Sequence, residues 1–301
     1  MGGANRPELM IVVGPTASGK TELAVRLAER LGGEVVSADS VQIYRRFDVG
    51  SGKPSATERS RVQHHLLDVL EPLEPMDAAR WAELAERAVA EIAERGRVPI
   101  VCGGTFLWVR ALLYGLASAP AADPAIRRRH AARATSEGRA ALHAELARVD
   151  PESAARLSPN DFVRVSRALE VWEQSGVTLS RWQAEHGFRE ARYRADLVGI
   201  AWPGPELDRR IRERTARMLE AGWVDEVRGL LAAGYAEARA MRSVGYRQVA
   251  EALAGETLPG ESELCDRIVR ATRVFARRQR TWLRDEPVRW LSPEQAGRDA
   301  P

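Results

Sequence analysis

The sequence predicts an α/β fold, a P-loop NTPase-like parallel sheet flanked by helices, with a helical insertion domain. Three observations lead there. A phosphate-loop pattern, Gly14-Pro15-Thr16-Ala17-Ser18-Gly19-Lys20-Thr21, follows an apolar strand-like run and opens an amphipathic helix-like one. The first third of the chain alternates short apolar runs with longer amphipathic segments, the pattern of strand–helix–strand units feeding a parallel sheet. From Arg127 to about Gly176 the pattern reads as consecutive helices with no intervening strand.

The elements follow in order. Strands are expected at 9–13, 34–38, 65–69 and 98–102, where apolar runs are bounded by glycine or polar residues. A helix from Gly19 to Leu31 follows the first strand, and Asp77 to Glu94 reads as a long helix with Trp81, Leu84, Ala85, Val89 and Ile92 as its apolar positions. The Ala- and Pro-rich stretch Ala117 to Asp123 marks a boundary. An apolar run from Tyr193 to Trp202 returns the chain to the sheet, and Val288-Arg289-Trp290-Leu291 is the last strand-like piece in an otherwise helical remainder. The expected division is a core domain of 1–117 with 189–301 and a helical insertion of 118–188.

With 301 residues, 45% of them hydrophobic, the chain can bury one large core or a core with a smaller satellite. It has no run of about 18 apolar residues, and its N-terminus passes from polar residues directly into Leu9-Met10-Ile11-Val12-Val13. Neither a membrane span nor a secretory signal is expected, and the expectation is a cytoplasmic monomer. Cys102 and Cys265 show no Cys-x-x-Cys spacing, which argues against a disulfide framework or a cysteine-built zinc site and for reduced, buried thiols. A net charge of +3 is too small to imply nucleic-acid binding, but it is unevenly spread: residues 1–115 carry a net of −1 and residues 116–301 a net of +4. Only Lys20 and Lys53 among the 45 basic residues are lysines, and both lie in glycine-containing loops.

The loop Gly14–Thr21 carries the most specific chemistry. Its backbone N–H groups and the following helix N-terminus would surround a diphosphate, with Lys20 neutralising the oxygens and the Thr21 hydroxyl ligating Mg²⁺. This defines a polyphosphate site without saying which polyphosphate. In Ser37-Ala38-Asp39-Ser40 a carboxylate stands just past the second strand, at the edge where open α/β sheets build ligand sites; it either faces the phosphate loop or caps a turn. Gly103-Gly104-Thr105 follows the fourth strand and either brings backbone and a hydroxyl to the ligand or makes an ordinary tight turn. An ATP-hydrolysing enzyme would usually end such a strand in an acid that organises Mg²⁺ and water. Gly103 stands there instead, which disfavours ATP hydrolysis.

A third signal is an arginine stripe. Arg270, Arg273, Arg277, Arg280 and Arg284 recur at spacings of three and four in a helix-like segment, so they fall within one sector of about 80°. Such a stripe suits a phosphate backbone, or else is a solvated face paired with acids elsewhere in the fold. Trp282 could stack on a base or anchor the helix, and Arg164 with Arg167 forms a smaller patch with the same two readings.

Further pieces fall in order along the chain. They are Asp39-Ser40-Val41-Gln42-Ile43-Tyr44, His65-Leu66-Leu67-Asp68, Asp123-Pro124 with Arg127, and Pro159-Asn160-Asp161 with Arg164 and Arg167. Val244-Gly245-Tyr246-Arg247 and Arg277-Arg278-Gln279-Arg280-Thr281-Trp282 complete them. Together with the phosphate loop and Gly103-Gly104-Thr105, this combination resembles the bacterial tRNA dimethylallyltransferases, also called tRNA isopentenyltransferases. Three departures are mild: Gly50-Ser51-Gly52-Lys53 where the family has Gly-Thr-Ala-Lys, Phe162 for a common proline, and Arg277 for a common lysine. The zinc finger appended in eukaryotic relatives has no Cys/His cluster to form it here.

The resemblance implies a reaction. Gly14 to Thr21 would hold dimethylallyl diphosphate as leaving group, and Lys20, Thr21, Thr105, Arg210 and Mg²⁺ would stabilise the charge that grows as the allylic C–O bond breaks. Asp39 would accept the proton of the exocyclic amine of the adenosine next to the anticodon on its 3′ side, a base that must leave its stack to arrive. The tRNA anticodon stem-loop would be contacted by Asp39, Ser40, Val41 and Gln42 near the reacting base. Arg127, Arg164 and Arg167 would act from the insertion, Arg242, Tyr246 and Arg247 from the middle of the second half, and Arg277, Arg278, Gln279, Arg280, Trp282 and Arg284 from the stripe. Rival readings are a P-loop kinase, an adenylate isopentenyltransferase, and a non-catalytic RNA-binding module that keeps the loop as a relic.

Overall fold

The computed structural model describes residues 6–255 and 259–298. The chain runs β1 (Leu9–Val13), α1 (Lys20–Leu31), β2 (Gly33–Ser37), α2 (Ala56–Arg61), β3 (His64–His65), α3 (Ala78–Glu94), β4 (Val98–Gly103) and α4 (Phe106–Tyr114). Five helices follow: α5 (Pro124–Ser136), α6 (Arg139–Val149), α7 (Pro151–Arg156), α8 (Phe162–Ser175) and α9 (Leu179–His186). Then come β5 (Ala195–Ile200), α10 (Gly204–Glu220), α11 (Trp223–Ala232), a 3₁₀ turn at Arg239–Arg242, α12 (Tyr246–Leu253), α13 (Glu261–Trp282), β6 (Val288–Leu291) and α14 (Pro293–Arg298).

The strands form one parallel sheet in the order β3-β2-β4-β1-β5-β6. From β1 the chain crosses toward β2, whereas after β4 it next rejoins the sheet on the opposite side of β1, at β5. The crevice at the carboxyl ends of β1 and β4, where Val13 pairs with Gly103, is therefore a topological switch point. Strand β1 is apolar on both faces, with Leu9, Ile11, Val12 and Val13 all buried, as a covered parallel strand requires. Helix α1 lays Leu23, Ala24, Leu27 and Ala28 on the sheet and ends at Gly32 in the left-handed conformation. Asp77 caps α3 by accepting from Arg80 N at 2.9 Å. Within that helix Trp81 is fully buried, stacks on Trp108 and donates from Nε1 to Ser37 O at 3.1 Å.

One expected strand is corrected. The apolar run 65–69 yields only His64–His65 of β3, and beyond it Leu66 and Asp68 take φ of 59° and 56°, outside any strand. Tertiary bonds override the local pattern: Val69 N donates to Ile43 O at 3.0 Å, Asp68 N to Gln42 O at 3.2 Å, and the Asp68 carboxylate accepts from buried Lys53. Smaller shifts are a start at Gly33 for β2, an extension to Gly103 for β4, and a shorter β5 inside 193–202.

The described chain divides into two compact units, with Gly115–Glu190 as the smaller, where the sequence placed 118–188. Its helices are punctuated by polar caps. Asp123 before Pro124, Asp150 before Pro151, Asp161 before Phe162 and Thr178 before Leu179 each accept a hydrogen bond from a first-turn N–H. Asp161 at the N-cap makes Phe162 the first helical position, where proline would also fit because that N–H has no partner within the helix. Leu142, Leu146, Ala154, Val165, Ala168 and Leu169 make the core of this unit.

Candidate active site

The loop between β1 and α1 wraps tightly at the switch point. Gly14 has φ of 150°, and a Cβ there would lie 2.9 Å from Ser18 Oγ, so glycine is required. Ala17 is left-handed at φ 64°, a conformation costing an L-residue about 1–2 kcal/mol. Outside contacts hold it: Arg210 Nε donates to Ala17 O at 2.9 Å, and Trp202 Nε1 donates to Ser18 O at 2.8 Å. Gly19, at φ 88°, turns the chain into α1, which begins at Lys20 and Thr21. The Lys20 ammonium donates to Pro15 O at 3.4 Å.

Opposite stands the segment after β2. Asp39 Oδ1 accepts from Val41 N at 2.9 Å and Gln42 N at 3.2 Å, which is the turn-capping role. Thr105 completes the corner: its hydroxyl accepts from Ser40 N at 3.1 Å, and its own N–H donates to Ala38 O at 3.1 Å. Gly103 has to be glycine because a Cβ would meet Ala38 O at 2.1 Å. Gln42 donates from Nε2 to Ser51 O and Gly52 O at 3.2 and 3.0 Å, tying the segment to the loop 50–53. Lys53 anchors that loop on Tyr44 O, Asp48 and Asp68. Glu226 accepts from the N–H groups of Asp48, Val49 and Gly50 and from the Tyr246 hydroxyl.

The two readings of Asp39 are thus not exclusive. Besides capping its turn, its charge acts on Lys20 and on Arg214, favouring the protonated form of both. Burial pushes the Lys20 pKa down, and Arg214 pushes the same way. Burial, with the Asp39 charge pushing the same way, drives the Cys102 thiol up to about 12 against the opposing pull of Lys20, so at neutral pH it is uncharged and offers Lys20 no anionic partner. A cluster of desolvated cations with one carboxylate beside it is arranged to receive an anion.

Arg214 was missed by the sequence reading. Its Nη1 donates to Thr16 Oγ1 at 3.0 Å and its Nη2 to Ser51 O at 3.4 Å, bridging the phosphate loop and the segment after Asp39. Gly52 makes room for it: a Cβ there would lie 2.1 Å from Arg214 Nη2, and its φ is 59°. Arg210, expected to touch the diphosphate, lies over the Trp202 ring at 4.3 Å and donates to the loop at Ala17 O. The available signal was the i, i+4 spacing of Arg210 and Arg214, which puts both on one face of α10.

The residues expected to meet RNA divide in two. Arg270, Arg277, Arg278, Arg280, Trp282 and Arg284 are exposed on or just beyond α13. Arg273 is neutralised by Asp208 at 3.2 Å, an acid from α10 that the sequence of α13 could not reveal. Arg242 and Arg247 are exposed but pair with Glu237 at 2.7 Å and Glu251 at 3.7 Å. Two expectations are corrected by burial. Tyr246 is 1% exposed and bonded to Glu226, so it supports the loop 48–50, and Gln279 turns inward to the phosphate loop. Within the insertion Arg164 is exposed beside Asp161, whereas Arg127 and Arg167 both bond the fully buried Glu170 carboxylate. Neutralising that buried charge is their first role.

Among the described residues no group of three or more His, Cys, Asp or Glu side chains could hold a metal ion. Any Mg²⁺ here would draw on the Thr21 hydroxyl and on oxygens of the bound phosphates and water, a donor set suited to that hard cation.

The sequence model of the IPP transferase family matches residues 42–286. The chain belongs to that family. The tRNA dimethylallyltransferase of Sorangium cellulosum (strain So ce56) is 66% identical over 285 residues, spanning 95% of this chain and 90% of that protein. The tRNA dimethylallyltransferase of Myxococcus xanthus (strain DK1622) is 47% identical over 286 residues, with 95% and 92% covered. Among solved structures, the tRNA isopentenylpyrophosphate transferase of Bacillus halodurans superposes with a TM-score of 0.69 at 36% identity, covering 95% of this chain and 89% of that one. A eukaryotic dimethylallyltransferase acting on tRNA shares the fold with a TM-score of 0.79 at 23% identity, over 95% of this chain and 74% of its own. This IPP transferase family member has no described helix long and apolar enough to cross a membrane.

Proposed function

We propose that this chain is a tRNA dimethylallyltransferase: it moves the dimethylallyl group of dimethylallyl diphosphate to N6 of the adenosine 3′-adjacent to the anticodon, giving N6-isopentenyladenosine and diphosphate. The observation that supports it is the shared site, where the Asp39 carboxylate acts on both Lys20 and Arg214 beside a loop shaped for phosphates. In the reaction the allylic C–O bond breaks and its electron pair leaves on the diphosphate. The N6 lone pair forms the new C–N bond, and the N6 proton passes to Asp39. Lys20, Arg214 and the loop N–H groups stabilise the charge gathering on the leaving group. The Thr21 hydroxyl would hold Mg²⁺, which would supply further charge neutralisation when bound. Val41 N and Gln42 N keep the carboxylate aimed, and Thr105 keeps Ser40 in place beside it. The exposed arginines of α13 and Arg164 of the insertion supply contacts for the anticodon stem-loop, and the enzyme works as a cytoplasmic monomer.

The test offers wild type each donor in turn with tRNA and Mg²⁺. Dimethylallyl diphosphate gives an adenosine heavier by one prenyl group, read by mass analysis of nucleosides, and ATP transfers no phosphate. Gly103, where a kinase would place an acid, supports the second half of that outcome. Phosphorylated RNA without prenylated adenosine would sink the assignment in favour of the kinase reading. Prenylation of free adenine nucleotides but not of tRNA would favour the adenylate enzyme.

A further inference from the structure

One side chain among the exposed arginines of α13 points inward. Gln279 is 8% exposed, while Arg277, Arg278 and Arg280 around it are exposed. Both ends of its amide are spent on the phosphate site. Oε1 accepts from Thr16 N at 2.8 Å, and Nε2 donates to Gly104 O at 3.0 Å. The seat is close-fitting, since a Cβ on Gly104 would lie 2.3 Å from Nε2. Thr16 is gripped a second time by Arg214 of α10 at its hydroxyl. Gly104 in turn precedes Thr105, whose hydroxyl holds Ser40 next to Asp39.

We propose that Gln279 is a positioning residue that couples RNA bound on the outer face of α13 to diphosphate bound in the loop Gly14–Thr21. The proposal rests on the tRNA dimethylallyltransferase reading. Gln279 lies within the same turn of the continuous helix α13 as Arg277 and Arg280, so RNA phosphates drawing on those arginines act on the backbone that carries it. The amide passes that pull to Thr16 on the β1 side of the crevice and to Gly104 on the β4 side. Because the Thr16 N–H is spent on Gln279 Oε1, Gln279 sets the path of the loop whose remaining donors meet the ligand. Because linkage is reciprocal, diphosphate must alter RNA affinity by the same factor that RNA alters diphosphate affinity.

The experiment measures the affinity of an anticodon stem-loop RNA for the full-length protein with and without inorganic diphosphate and Mg²⁺. Two variants are compared with wild type. Gln279→Met keeps the volume and removes both hydrogen bonds, and Gly104→Ala leaves the amide present but displaces it. Diphosphate is expected to change wild-type RNA affinity by about fivefold or more. In each folded variant the change falls to within about twofold, while affinity for RNA alone moves less than the coupling ratio does. A purely structural glutamine would weaken RNA binding equally with and without diphosphate; that unchanged ratio, or a wild type with no coupling, overturns the proposal. Prenylation of the same RNA by wild type, run alongside, keeps the two readings apart. No mass gain indicts the activity, whereas a mass gain with an unchanged ratio indicts the coupling alone.

Discussion

At single residues the site is a matter of where charge is allowed to sit. Burial pushes the Lys20 pKa down while the Asp39 charge pushes it up, and Cys102 is silent at neutral pH. An arriving diphosphate offsets that desolvation with its negative charge, so Lys20 serves the leaving group rather than the RNA. Lys20→Ala is expected to raise the barrier by about 3–4 kcal/mol, the usual loss for one donor at a developing charge, with tRNA affinity nearly intact. Equal losses in rate and in tRNA binding would contradict that division. Asp39→Asn keeps the acceptor oxygen for Val41 N and Gln42 N but removes the base. Single-turnover transfer should slow about 10²–10⁴-fold with both substrates still bound, and a wild-type rate in the variant would move the proton to another acceptor.

At the scale of elements, α13 does two jobs with two faces. Its inner face carries Leu264, Cys265, Ile268, Val269 and Ala276 into the core, and Gln279 to the phosphate loop. Its outer face carries the arginines, with Arg273 already balanced by Asp208. Arg277 and Arg280 are the pair to remove: the double alanine variant should weaken tRNA binding and flatten its salt dependence by about one to two units of slope, leaving diphosphate binding unchanged. Filter binding across a salt series reads both, and an unaltered slope would mean a solvated face only.

Over the whole molecule, carboxylates held by hydrogen bonds set the response to acid. Burial raises the pKa of Asp68, Asp150 and Glu170. Bonds from Lys53 and Arg59, from Ser153 and Ser180, and from Arg127 and Arg167 outweigh it, so each ends below its ordinary value. A carboxyl lowered on folding stabilises above its unfolded pKa and loses that contribution as pH falls through the folded one. The urea midpoint should therefore hold from neutral pH to about pH 5 and fall below about pH 4. Glu170→Gln should cost on the order of 2 kcal/mol at pH 7, because two arginines lose a charged partner, and should make the acid fall shallower. An unchanged midpoint at pH 7 would show that Arg127 and Arg167 simply turn to solvent.

What the sequence determined by itself were the features written in neighbouring residues. The phosphate loop, the alternation of β1, α1 and β2, the run of helices from Arg127 and the arginine periodicity of α13 all rest on local backbone preference and spacing. The family resemblance added which reaction such pieces serve. Tertiary structure alone decided the rest, because it depends on groups far apart in the chain. The run 65–69 lost its strand to bonds with Gln42, Ile43 and Lys53. Arg214 rather than Arg210 reached Thr16, since a one-turn step along α10 separates a guanidinium in the crevice from one stacked on Trp202. The resemblance implied RNA contacts for Gln279 and Tyr246, yet a buried amide and a buried hydroxyl must find partners. Those partners, Thr16 and Gly104 for the one and Glu226 for the other, exist only once the fold has brought them together.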